Sequence, residues 1–315
     1  MSHPDPPEQQ RPQQQEAVPE SRDGVGEPRQ TKYERQEQTN LILGWVGGRL
    51  LSVAPAGWAV LDLKVSLAAD VEDFTFATVL GDGSFAPVEM PPEVRRAFVD
   101  VRDLLAEPGQ GTWFSVRFTM SPPDNYRVYF NFEVDPVWDP PIGPDVLVED
   151  LRRYPRTPDD TPRWVLEALG AELPALPVSV DYEQQSRQVK RVTDQLRQVL
   201  PAGWGYAQVQ FREIGHHAEV AALVQNAVGA MVQWNPPRAV TERFRELRTM
   251  TRRTEHGPWF SAKVELSGDG REKVSTNRTE EPTWIDPPSD EAYLVELELP
   301  GSERVPDWLR TRSGS

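Results

Sequence analysis

The chain contains no cysteine, which excludes disulfides, thiolate metal sites and a cysteine nucleophile. Histidine is almost as scarce, with only His3, His216, His217 and His256. His216-His217 follows Gly215 and is expected to sit in an exposed turn, where a zinc site would need further ligands that are not nearby. No stretch approaches the ~18 consecutive apolar residues that a membrane helix requires, and no short apolar run follows a basic start as in a secretory signal. Glycine-rich phosphate loops, Gly-x-Ser-x-Gly elbows and His-Glu-x-x-His helices are also missing. These absences set the expectation of a cytoplasmic protein with no catalytic residue, no metal and no cofactor.

What is present begins with length and charge. A chain of 315 residues has room for two domains of roughly 100–200 residues each. Residues 1–40 fit neither, because Gln, Pro, Glu and Gly dominate there. Such a segment buries too little apolar surface to offset its ordering entropy, so it is expected to be a disordered tail. The net charge of −15 is unevenly placed: residues 41–170 hold 11 basic against 20 acidic side chains, whereas residues 183–315 hold 18 against 19. A nucleic-acid-binding surface would need the opposite sign. A basic protein partner would be drawn to the first half.

The strongest signal is an internal repeat. Pro55-Ala56-Gly57-Trp58 recurs as Pro201-Ala202-Gly203-Trp204, and Trp113-Phe114-Ser115 recurs as Trp259-Phe260-Ser261, both 146 residues later. Asn131, Asp135, Pro136 and Trp138 align with Asn277, Glu281, Pro282 and Trp284 at the same offset. Each of those tryptophans runs into Asp-Pro-Pro, at Asp139 and Asp286. A repeat of this length means tandem domains rather than a solenoid.

Apolar patterning agrees between the copies. Ile42, Val46, Leu50 and Val53 make one helical stripe, and Val189, Val192, Leu196 and Val199 the other. Leu61, Leu63, Val65 and Leu67 alternate with polar residues in the next segment, as do Ala207, Val209 and Phe211, which is the period of a half-buried strand. Pro91-Pro92 and Pro236-Pro237 open a second helix, and the Trp-Phe segments lead into hairpins. The order predicts an α+β protein of two tandem helix–antiparallel sheet–helix domains, at 41–168 and 183–312, joined by a linker at 169–182. In the last hairpin strand, copy one is apolar (Tyr126, Val128, Phe130, Phe132). Copy two has Val274, Thr276, Arg278 and Glu280 in its final strand region, so that strand is expected to be a polar edge strand or to fray.

The repeated tryptophans are read as core packing. Among the acids, Glu133 and Asp135 share a strand face, but only Asp135 keeps an acidic counterpart, in Glu281. A carboxylate-dependent hydrolase is therefore the most distant alternative.

The Pro-x-Gly-Trp helix end, the proline-opened second helix, the Trp-Phe strand and the Asn-x-x-x-Asp/Glu-Pro-x-Trp segment together resemble the YezG-like immunity protein family, actinobacterial members in particular. The closing run Glu149-Asp150-Leu151-Arg152-Arg153-Tyr154-Pro155-Arg156 matches too, whereas copy two has Glu298-Leu299-Pro300-Gly301 in its place. The resemblance implies an antitoxin that neutralises a cognate protein toxin, often a nuclease with a basic active-site face, by stoichiometric binding. On that basis the acidic copy one is expected to grip the partner, through Asp70, Glu72, Asp73 and Asp82 in one loop region and Asp135, Trp138, Asp139 and Asp145 in another. A general adaptor or secretion chaperone of the same fold is the alternative.

Overall fold

In the computed structural model, residues 31–178, 180–252, 257–299 and 305–313 are described; most of the sequence expected to form a tail, residues 1–30, lies outside them. The first helix, α1, spans Lys32–Leu51 and so starts nine residues before the expected domain boundary. The cause is a capping box: the Glu34 amide donates to Thr31 Oγ1 at 3.2 Å and the Thr31 amide donates to Glu34 Oε2 at 2.7 Å. These bonds hold a turn that carries no apolar periodicity. Leu43, Val46 and Leu50 then line its buried face.

Strands β1 (Trp58–Ala68), β2 (Val71–Leu80) and a two-residue β3 (Phe85–Ala86) follow, then helix α2 (Glu93–Leu104) and the hairpin β4 (Ser115–Ser121) and β5 (Asn125–Asn131). Pro92 is the N-cap of α2, where its missing amide hydrogen costs little. Helices α3 (Pro144–Arg153) and α4 (Arg163–Ala168) close the copy. The five strands form one antiparallel sheet in the order β3-β2-β1-β4-β5. Copy two repeats the series as α5 (Tyr182–Val199), β6 (Tyr206–Ile214), β7 (His217–Gln225), β8 (Met231–Trp234), α6 (Arg238–Met250), β9 (Ser261–Ser267), β10 (Glu272–Asn277), α7 (Asp290–Leu297) and α8 (Asp307–Arg312). Its sheet has the same topology, β10-β9-β6-β7-β8. The fold is α+β and written twice. The polar final strand of copy two forms as β10, at the sheet edge.

Each copy has its own core between one face of its sheet and two helices. In copy one Leu61, Leu63 and Val65 meet Leu43, Val46 and Leu50 of α1 and Val94, Phe98 and Val101 of α2. Each buried side chain of this size contributes about 1.5–3 kcal/mol. Phe98 makes edge contacts with Phe74, Trp113 and Phe118 at centroid distances of 6.3–6.5 Å. In copy two Phe244 stacks on Phe211 at 5.2 Å.

The repeated landmarks have repeated structural tasks. Asn131 accepts from the Glu133 and Val134 amides and donates to the Val134 carbonyl; Asn277 does the same with Thr279 and Glu280. The indole of Trp164 donates to the Glu133 carbonyl and that of Trp308 to the Thr279 carbonyl. Buried beneath them, Arg102 pairs with Asp150 at 2.8 Å and Arg248 with Glu296 at 2.6 Å. Each arginine also donates to a tryptophan carbonyl, of Trp113 or Trp259. Each acid accepts from the amide of a left-handed turn residue, Ala69 or Gly215.

The copies are stacked, not merely tethered. The second face of the copy-one sheet carries Asp62, Lys64 and Arg117, alternating with the core residues, and α5 lies across it. Helix α5 is thereby buried on two sides: Val192 and Leu196 point into the copy-two core, while Gln195 and Gln198 point into copy one. The layers run from α1 and α2, through the first sheet, to α5 and α6, and then to the second sheet.

Candidate interaction surface

The seam between the copies is built around Arg117. Its guanidinium pairs with Asp62 at 3.0 and 2.6 Å and donates to the carbonyls of Arg197, Leu200 and Pro201 at 2.7, 2.8 and 2.9 Å. These are carbonyls at the end of α5, where a cation also meets the negative pole of the helix dipole. Lys64 Nζ donates to the same Leu200 carbonyl at 3.0 Å. Burial, with Arg117 beside it, holds the Lys64 ammonium down at about 8, against the opposing pull of Asp62 and Asp73. Around this centre Arg191 pairs with Glu133, Gln195 donates to the Asp135 carbonyl at 2.8 Å, and the Arg197 guanidinium lies 5.1 Å over the Tyr129 ring.

The eight residues expected to grip a partner do not form one patch. Asp70 sits in the β1–β2 turn, exposed but paired with Arg153 at 2.7 Å, which holds its carboxyl below the usual range. Glu72 lies 3.6 Å from Arg95. Asp82 was expected in the same loop region, yet all ten residues of β2 separate the two turns, roughly 30 Å of extended chain. It accepts from the hydroxyl and amide of Ser84 at 2.6 and 2.9 Å, and these bonds lower its carboxyl. Asp135 belongs to the seam: burial raises its carboxyl, and Arg243 from copy two opposes that rise. Trp138 is only 8% exposed, and its indole nitrogen has no hydrogen-bond partner among the described residues. Asp145 occupies the first turn of α3, where a negative charge is favoured by the helix dipole.

Two of the eight, Asp73 and Asp139, feel each other's charge. Asp73 projects from the open face of β2, opposite Ser66. Its carboxyl is raised first by burial and then by the neighbouring Asp139, with Lys64 opposing. Copy two differs at this place. Glu219, the counterpart of Asp73, accepts from the Ile285 and Asp286 amides at 2.9 and 2.7 Å and lies 3.2 Å from His217. Copy two thus keeps both acids, as Glu219 and Asp286, but there the Glu219 carboxylate is engaged by backbone amides.

The matching face of copy two is open. Register places Gln208, Gln210 and Lys263 where copy one has Asp62, Lys64 and Arg117. Leu223 and Met231 stand on the same face, 43% and 46% exposed. Beside it runs an open groove of about 760 Å³ lined by Glu281, Pro282, Trp284, Pro287, Tyr293 and Arg312. Arg312 holds Glu281 with two hydrogen bonds at 2.9 and 3.3 Å, and burial pushes the Tyr293 hydroxyl up.

The seam was missed from sequence because Asp62 and Arg117 look like ordinary solvent-facing residues of amphipathic strands. The usable signal was a difference between copies, Asp62 against Gln208 and Arg117 against Lys263. Of the histidine pair expected in an exposed turn, His216 lies there, whereas His217 begins β7 and packs half-buried against Trp284. Among the described residues, no cluster of three or more His, Asp and Glu side chains is placed to hold a metal, and no helix is long and apolar enough to cross a membrane. No protein-family model matches the chain, and no curated protein matches it.

Proposed function

We propose that this chain is an immunity-type binding protein, one that neutralises a cognate protein toxin by forming a stoichiometric complex within the producing cell. The observation that carries this reading is the charge of copy one, with 11 basic against 20 acidic side chains; Asp73 and Asp139 lie near enough there for the second to raise the carboxyl of the first. A surface with this excess of carboxylates presents the charge sign of a phosphate backbone. The basic active-site face of a nuclease is built to receive that sign, and complementarity of this kind raises association rate and selectivity. The resemblance to YezG-like immunity proteins points the same way.

The test is to look for a toxin-bearing reading frame among the neighbouring genes and to co-express its product with this chain. Growth should be rescued, and the two proteins should purify as a complex of fixed stoichiometry. Reversal of Asp73, Asp139 and Asp145 to lysine together should slow association at low salt at least ~tenfold, with the difference shrinking as salt screens the charges. Failure to rescue ends the immunity reading. Rescue with unchanged association ends the phosphate-mimic reading and leaves the binding site elsewhere.

A further inference from the structure

The stack inside the chain uses one kind of contact once: the outer side of a first helix, α5, lies on the open face of the preceding sheet. Each half of that contact also exists a second time, uncovered. Among the described residues, no layer lies on the open face of the copy-two sheet and none lies on the outer side of α1. We propose that these two surfaces are complementary halves of an interface between chains, so that α1 of one molecule docks on the copy-two sheet of another.

The repeat offset gives the pairing in detail. In the seam, Arg191 reaches Glu133 and Gln195 reaches the backbone of Asp135. The α1 residue in the place of Arg191 is Trp45, and the copy-two residue in the place of Glu133 is Thr279. Both ends of the ion pair have thus become uncharged together, so neither surface carries an unmatched charge at that point. Trp45 is 47% exposed, and Leu41, one turn earlier on the same side, is 75% exposed. Gly44 and Gly48, on that side too, have open space beside them, which lets another backbone come close.

The surface that Trp45 would meet suits an indole. Thr279 leads into Glu281 and the proline- and tryptophan-lined groove, and Leu223 and Met231 supply apolar area on the sheet itself. Lys263 stands in the place of Arg117 and keeps a cation opposite the carbonyls at the end of α1. It is now 3.1 Å from Glu265. Without an aspartate at position 208 and without a guanidinium fork, the contact between chains is weaker than the seam.

Charge decides the orientation. Pairing copy one with copy one would oppose two strongly acidic domains. Pairing copy one with copy two sets an acidic domain against one holding 18 basic and 19 acidic side chains over 183–315, with Lys263 and Lys273 beside the face. A contact between different surfaces is heterologous, so it extends into chains of molecules unless it closes into a ring.

The test is sedimentation of the full-length protein across concentration. The weight-average mass should rise above 35.6 kDa as concentration increases. Trp45→Glu, on the helix side, or Leu223→Lys, on the sheet side, should each weaken association by at least ~tenfold. Both residues are exposed, and near-ultraviolet circular dichroism should be unchanged. Leu41→Glu and Met231→Lys provide a second, independent pair. A mixture of one helix-side and one sheet-side variant should form a dimer of the two and nothing larger, because one intact face of each kind remains. A monomer at every concentration, self-association that survives both variants, or a mixture that fails to pair would each overturn the proposal. None of these outcomes bears on toxin rescue, so the two readings stand or fall separately.

Discussion

Arg117 binds Asp62 with both arms of its guanidinium at 3.0 and 2.6 Å, and the same group holds three carbonyls at the end of a helix about eighty residues further along the chain. Both side chains are 1% exposed. One arginine thus satisfies a buried acid of its own copy and helps to close a helix of the other.

Removing that arginine should uncouple the copies. Arg117→Ala leaves Asp62 buried without its guanidinium partner and leaves Lys64 as the donor to the α5 terminus, at a cost of about 3–5 kcal/mol. Scanning calorimetry should then resolve two transitions where the parent shows one. The double change Asp62→Leu with Arg117→Met should recover much of the stability of copy one, since neither half of the ion pair is left buried without the other. A single, unshifted transition in Arg117→Ala would contradict the assignment.

The two internal ion pairs should behave as independent equivalents. Asp150→Asn and Glu296→Gln each remove the charge opposite a buried arginine, and each should cost about 3–5 kcal/mol. Because the pairs lie in different cores, the double variant should show the sum of the single effects to within about 0.5 kcal/mol. Denaturant titration of the four proteins checks this, and strong coupling would mean that the cores are not separate.

Lys64 should give the stability curve a feature at alkaline pH. Its ammonium titrates near 8 in the folded chain against a usual 10.5. Between those values the unfolded chain binds more protons than the folded one, so stability rises as pH rises from about 8 to about 10.5 on account of this group. The comparison of parent with Lys64→Met isolates it, and the difference between the two proteins should narrow steadily as pH climbs through that window. A difference that does not vary with pH would show that Lys64 titrates normally.

The turn that feeds each acid is set differently in the two copies. Ala69 and Gly215 both adopt left-handed backbone, with φ of 49° and 53°. A methyl group on Gly215 would collide with the carbonyl oxygen of Ala292. Gly215→Ala should therefore cost more than the ~1–2 kcal/mol charged for the backbone alone, while Ala69→Gly should be neutral or mildly stabilising. Thermal melts of the two variants decide it.

Much of the architecture could be read from the residues themselves. Two helical stripes, two alternating strands and the recurring Pro-Ala-Gly-Trp and Trp-Phe landmarks marked the duplication, since each copy must build a core of its own. The start of α1 at Lys32 could not be read that way, because a polar capping box and not an apolar stripe sets it. The short β3 escaped for a related reason: Phe85-Ala86 is too brief to show a period. The acids were harder. Sequence counts charges but cannot see that Arg153 stands over Asp70, that β2 carries Asp82 away, or that α6 brings Arg243 towards Asp135. Those facts depend on which helix crosses which sheet, and only the difference between the copies at Asp62 and Arg117 hinted at the crossing.

The seam also changes what the linker means. Helices α4 and α5 are joined by a segment that includes Pro174 and Pro177; it adds a bond from Arg163 to the Pro174 carbonyl and one from the Val180 amide to the Met250 carbonyl, but the Arg117 centre lies outside it. A protease that cut there would sever the polypeptide without dismantling the particle: the fragments would co-purify, and separately produced halves would find each other in solution. Covalent continuity here secures equal numbers of the two parts, while their assembly is written into their surfaces.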